Sequence, residues 1–230
     1  MRDRLDRARL PEFLATPLPS PVHALNLVRF RDARSYRLYG LLLAPFALLH
    51  GARPLWAGVR TETLAGEDPP DELVIVSYPN AKSLVRIVDS PFYSWVNRWR
   101  AKGTAELEFG LTERLSGDIS LKQAGVFAAV RFNAHEQELG AVLDTIGRLA
   151  SPGMEPAYVS TRRTGFPPLL GSAPGDPVPL SRNHTVLVSV HDTAKARTHL
   201  RSLAAELEPA VRDLSVDLLR STGIRESLPH

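Results

Sequence analysis

The sequence predicts an α+β fold made of two tandem β-α-β-β-α-β units, and three observations carry that prediction. Short motifs recur in order: Val28-Arg29-Phe30 returns as Val130-Arg131-Phe132, and Pro54, Trp56, Arg60 return as Pro156, Tyr158, Arg162, all displaced by 102 residues (28 to 130). Slippage falls only between elements. Val74-Ile75-Val76-Ser77 returns as Val186-Leu187-Val188-Ser189 at a displacement of 112, and Leu107, Phe109, Leu111 return as Leu214, Val216, Leu218 at 107. Fixed spacing inside elements, with insertions confined to connections, is what a repeated unit leaves behind. The apolar pattern then reads strand, helix, strand, strand, helix, strand in each half.

The N-terminal arm, residues 1–22, opens with four Arg and two Asp in nine positions and never reaches the apolar stretch of a secretory signal. The first unit spans 23–114. Residues 23–30 carry strand propensity, and Asp32 caps a helix whose Tyr36, Tyr39, Leu42, Leu43 and Phe46 share a face and which ends near Gly51. Pro45 predicts a kink or an early stop there. Residues 53–64 form a second strand, 67–71 a turn, and 73–78 an apolar run short enough to be a strand buried on both faces. Asn80 caps the next helix, with Leu84, Ile87 and Val88 inward; Ser90-Pro91 restarts it, with Phe92, Trp95, Val96 and Trp99 as core. Residues 105–113 alternate Leu107, Phe109, Leu111 with Glu106, Glu108, Gly110, Thr112, the pattern of a half-exposed closing strand.

A linker, 115–124, leads to the second unit, 125–222, and a tail, 223–230. This unit reads as strand 125–132, helix 134–150, strands 155–163 and 185–191, helix 193–208 and strand 212–219, the ferredoxin-like order again. Residues 165–183 hold five prolines and three glycines, a connection long enough to suggest a functional loop.

Composition narrows the function classes. At 43% apolar and 23% charged the chain is an ordinary folded protein with a real core. The excess of three positive charges comes from scattered arginines, 24 against 4 lysines, with no nucleic-acid motif, so no nucleic-acid partner is expected. Without cysteine, disulfides and thiolate chemistry are excluded. The longest apolar run, 38–49, is too short to span a bilayer, so no membrane partner is expected, and a cytoplasmic monomer or homodimer is the default. No metal or cofactor is expected either. His184 and His191, with Asp192 beside the latter, bracket one strand about 20 Å apart, and no glycine-rich phosphate loop or Gly-x-Ser-x-Gly elbow occurs.

Within the first unit, Asn26 to Asp32, Ala44-Pro45, His50 to Gly58, Tyr78-Pro79 and Ser90-Pro91-Phe92-Tyr93 resemble small bacterial barrel domains of unknown function. These are similar to the EthD-type and antibiotic-biosynthesis-monooxygenase groups of the dimeric α/β-barrel superfamily. The resemblance covers roughly residues 23–113. It implies that two such units, normally on separate chains, pair their sheets into one barrel, here within a single chain. Trp99-Arg100 stands where such domains often carry His-Arg, so no role for that histidine transfers, and the second unit has no counterpart of Ser90 to Tyr93.

Alternation along strands then sorts candidate site residues. Leu55, Ala57 and Val59 fit the helix side of their strand, leaving Trp56, Gly58 and Arg60 for the other face. Tyr158, Ser160 and Arg162 follow suit, as do Arg29 and Arg131 opposite Val28, Phe30, Val130 and Phe132. The expected ligand-binding set is therefore Arg29, Trp56, Arg60, Arg131, Tyr158 and Arg162, turned toward a barrel interior. A buried guanidinium must meet an anion. That anion is either internal, from Glu106, Glu108 or Asp217, or the carboxylate or phosphate of a small anionic or aromatic ligand. The two answers correspond to two functions. One is a small-molecule-binding barrel working as a metal-free oxygenase, isomerase or cyclase; the other is a non-catalytic structural or protein-interaction module. The sequence assigns no acid, base or substrate.

Overall fold

The computed structural model describes residues 10–15, 20–67, 69–149, 154–162 and 177–222. Along the chain these form α1 (Leu10–Ala15), β1 (Val22–Phe30), α2 (Ala33–Leu49), β2 (Arg53–Ala65), β3 (Glu72–Tyr78), α3 (Ala81–Val88), α4 (Pro91–Gly103) and β4 (Thr104–Gly117). Then follow β5 (Val126–Asn133), α5 (Glu136–Leu149), β6 (Met154–Arg162), β7 (Val178–Pro179), β8 (His184–Val190), α6 (Thr193–Leu207) and β9 (Arg212–Ser221).

Eight strands close into an antiparallel barrel in the order β1-β3-β2-β9-β5-β8-β6-β4, with β4 pairing back to β1. The seams β2–β9 and β4–β6 join strands from the two halves of the chain. Closure removes the exposed edges that an open sheet of this size would present. The two-residue β7 runs parallel to β4, pairing Val178 with Glu108 and Pro179 with Phe109.

Caps form where the sequence places them. The side chain of Asp32 accepts from the Arg34 amide, that of Asn80 from Ser83, and that of Ser90 from Tyr93 with Pro91 in the first turn. Pro45 does not end its helix, which continues to Leu49 and closes with the His50 amide donating to Ala47 and Leu48 carbonyls. The arm preceding β1 is not wholly irregular: Phe13 of α1 packs with Val22, Ala24, Leu84 and Leu111.

The recurrent Pro-x-aromatic motif proves to be a β-bulge. Pro54 pairs with Val76 but Trp56 pairs with Ile75, so Leu55 is the extra residue; likewise Pro156 pairs with Val188 and Tyr158 with Leu187, leaving Ala157 extra. Each bulge reverses the parity of its strand, turning the aromatic ring inward. Trp56 and Tyr158 thus join Leu25, Leu27, Leu73, Ile75, Phe127, Ala129, Leu187 and Leu219 in a packed interior. Two connections contribute as well: Ile119, after β4, and Leu180, after β7, both join this cluster. A Cβ at Gly110 would collide with the Leu180 side chain, so the glycine makes room for it.

The closing strand keeps the expected alternation, but most of its polar face turns to the barrel interior, with Glu106 exposed near the mouth. Leu107, Phe109 and Leu111 face the helices, while Glu106, Glu108, Gly110 and Thr112 pair with Arg29, Leu27, Leu25 and His23 on the interior side. Of the long connection expected at 165–183, residues 177–183 pack along the barrel and the rest lie outside the described residues.

Candidate functional site

Strand direction decides where the candidate residues meet. In an antiparallel ring, β1, β2, β5 and β6 run one way and β3, β4, β8 and β9 the other. Arg29, Arg60, Arg131 and Arg162 lie on the four strands that run together, each past the strand's middle, so all four gather toward one mouth of the barrel. The aromatic pair, Trp56 and Tyr158, enters nearer the other end.

At the arginine mouth, Arg29, Phe30, Arg60, Pro69, Asp71 and Ala105 line an open cavity of about 330 Å³. Each of its two guanidiniums has a carboxylate. Arg29 Nη1 lies 3.2 Å from Glu106 Oε2, and Arg60 Nη2 lies 3.0 Å from Asp71 Oδ1 while its Nε donates to the Pro70 carbonyl at 2.9 Å. Asp71 also accepts from the Phe30 amide at 2.8 Å, tying β1 and β2 to the start of β3. Both ion pairs remain partly solvated.

On the opposite side of the mouth the chain supplies its own contacts. Arg162 Nη1 donates to the Leu180 carbonyl, and the Ser181 amide and hydroxyl donate to Glu108 Oε2 at 2.8 and 2.9 Å. Beneath them Arg131 is 1% exposed, with Nη2 donating to Ser215 Oγ at 2.9 Å and to Asp217 Oδ2 at 3.2 Å. Thr63 and Ser215 donate to the same carboxylate. Nε and Nη1 of Arg131 meet no acceptor among the described residues. Burial lowers the Arg131 pKa and Asp217 counters it.

Toward the other end, the Tyr158 phenol oxygen lies 2.9 Å from Nδ1 of His23, with the rings stacked at 5.8 Å. Burial pushes the phenol up; the Thr112 and Ser160 hydroxyls and the Arg114 charge oppose it. His23 is held below the usual histidine range, first by burial and then by Arg114. Trp56, fully buried, meets Phe127 edge-on at 5.2 Å, and its Nε1 meets no acceptor among the described residues.

Of the six expected residues, the structure brings Arg29 and Arg60 to one cavity. Arg131 and Arg162 are engaged by the chain itself, and Trp56 and Tyr158 fill the interior. Three groups escaped the sequence reading. His23 shares the parity of Leu25 and Leu27, which would have placed it inside. Asp71 was taken as part of a turn, and Leu180 reaches the interior from a connection, where alternation has nothing to say. Among the described residues, no group of three or more His, Asp or Glu side chains stands close enough to hold a metal ion.

Comparison with known proteins follows the geometry. A chlorite dismutase variant from Candidatus Nitrospira defluvii superimposes with a TM-score of 0.55 at 10% identity, over 96% of this chain and 97% of that one. An anthrone oxidase-like protein gives 0.52 at 12% identity, over 89% and 92%. At such identities the likeness shows the fold alone. A protein of unknown function from Rhodopseudomonas palustris is 24% identical, covering 46% of this chain and 90% of its own, with a TM-score of 0.42. No curated protein matches the chain. Residues 21–112 match the domain of unknown function DUF1330.

Proposed function

We propose that the protein binds a small anionic molecule, a carboxylate or phosphate, at the barrel mouth bounded by Arg29 and Arg60. The observation that carries this reading is the cavity of about 330 Å³ into which both guanidiniums open, walled on its apolar side by Phe30, Pro69 and Ala105. That volume suits a metabolite-sized ligand. The arginine fork suits a planar anion, and Asp71 and Glu106 hold each fork in place. If the site is catalytic, the same guanidiniums would stabilise developing enolate or carboxylate charge, the electrostatic work expected of a metal-free oxygenase, isomerase or cyclase. Two barrels of this fold carry small-molecule names, anthrone oxidase-like and chlorite dismutase, which is compatible with such a site.

We also infer that residues 23–114 and 125–222 are copies of one ferredoxin-like unit. Supporting this, each half runs β-α-β-β-α-β, its sheet order is the same (β2-β3-β1-β4 and β6-β8-β5-β9), and the Pro-x-aromatic bulge recurs at equivalent places. In the second copy the longer connection engages Arg162 through the Leu180 carbonyl, whereas in the first Arg29 and Arg60, each paired with a carboxylate, line the cavity.

A second reading, a non-catalytic module with internally paired arginines, draws support from the buried Arg131–Asp217 pair and the packed interior. Backbone amide NMR of the full chain, titrated separately with benzoate and inorganic phosphate, separates the two. Shifts centred on residues 29–30, 60, 71 and 105, abolished in an Arg29→Ala/Arg60→Ala variant of unchanged Tm, support the ligand site. No shift with either probe, or shifts that survive the double substitution, would leave the structural module.

A further inference from the structure

α2 and α4 lie side by side outside the first half of the barrel, in opposite directions, joined by Phe46 against Phe92 at 4.8 Å. A helix in this position should show a polar outer face. Here the residues of α2 that face outward are Arg34, Arg37, Leu41, Pro45, Leu48 and Leu49, with Leu48 54% and Leu49 84% exposed. The outward stripe of α4 is Ser94, Trp95, Arg98 and Lys102, with Trp95 45% exposed.

Because the helices are antiparallel, the C-terminal leucines of α2 lie beside the N-terminal aromatic residues of α4, and Arg34 and Arg37 lie toward the end that holds Lys102. The face is thus divided into an apolar half and a cationic half. Arg98 joins the two, its guanidinium carbon 4.9 Å from the Trp95 ring centre and 5.6 Å from that of Trp99; the Lys102 ammonium lies 5.6 Å from Trp99. Of the acids near this end, Asp32 is occupied in capping α2 and in accepting from Ser35, and Glu72 lies on the barrel side of α2, beneath Arg37.

We propose that this face docks on an anionic phospholipid surface. Leucines and a tryptophan beside arginines and a lysine suit the boundary between acyl chains and phosphate headgroups, where apolar side chains are buried and cations meet phosphates. A second copy packed through this same face would bury the leucines but bring no acidic stripe to the cationic half. A lipid surface accounts for both halves. No helix among the described residues is long and apolar enough to cross a membrane, so the contact is peripheral.

Vesicle flotation of the full chain tests this, comparing phosphatidylglycerol/phosphatidylcholine vesicles with phosphatidylcholine alone, alongside sedimentation for oligomeric state. The expected result is salt-sensitive binding to the anionic vesicles, reduced about tenfold or more by Leu48→Glu/Leu49→Glu and also by Arg34→Glu/Arg37→Glu, both folded by circular dichroism. Three results would overturn the proposal: no binding to anionic vesicles, equal binding to both compositions, or a wild-type dimer that Leu48→Glu/Leu49→Glu dissociates while vesicle binding is absent.

Discussion

The phenol of Tyr158 meets Nδ1 of His23 at 2.9 Å although 135 residues separate them in sequence. The contact crosses the seam where β6 pairs with β4, which in turn pairs with β1, so it reports directly on barrel closure. His23 is held below its ordinary value of 6.5 by burial and Arg114. A depressed histidine leaves its folded-state stability intact above about 6.5 and loses it as pH falls, because the unfolded chain takes up the proton more readily. Urea denaturation between pH 7.5 and about pH 5 should therefore show a smaller loss for His23→Gln than for the wild type. An equal loss in both would mean that this imidazole titrates as it does in the unfolded chain.

Arg131 and Asp217 form an ion pair with both side chains 1% exposed, whereas Arg29 and Glu106 stand 42% and 45% exposed. Breaking a buried pair strands a charge in low dielectric, so Asp217→Asn should cost about 3–5 kcal/mol. Breaking the solvated pair with Glu106→Gln should cost under about 1 kcal/mol. Chemical denaturation measures both. An Arg131→Met/Asp217→Leu variant should recover much of the loss, since no stranded charge remains; a double variant as unstable as Asp217→Asn would contradict the assignment.

How much of this was legible follows from what alternation encodes. Val28-Arg29-Phe30 and Val130-Arg131-Phe132 are regular strands, so parity turns Arg131 inward, but it left Glu106, Glu108 and Asp217 open as partners, and only the β5–β9 pairing selects Asp217. Strand direction, which gathers the four arginines at one mouth, depends on the pairing order and is absent from any local pattern. Leu180 enters the interior from a connection, and His23 finds Tyr158 only once the seam forms. At residues 56–60 and 158–162 alternation turned the aromatic rings inward, as found, but it gave no sign of the bulges at Leu55 and Ala157 that set each ring on the face opposite its proline.

That reversal leaves the Trp56 indole lying across Gly58, where an added Cβ would overlap the ring. Gly58→Ala should cost about 1–3 kcal/mol through overpacking. The cost should shrink in a Trp56→Phe background, because the smaller ring vacates the space above residue 58, giving a coupling readable in a double-mutant cycle. Additive losses would show that the two sites do not touch.

Glu72 begins β3 next to the cavity residue Asp71 but is turned toward α2, where burial pushes its carboxyl up to about 7 and Arg37 only partly offsets this. A carboxyl raised above its unfolded value of 4.5 favours the folded state while protonated. Its contribution is complete below about 4.5 and is lost as pH rises through about 7, the reverse of the His23 dependence. Glu72→Gln keeps the shape and removes the titration, so its stability relative to wild type should improve steadily from pH 4 to pH 8, measured by urea denaturation. A difference that stays constant across that range would place the Glu72 carboxylate in water, not beneath the helix.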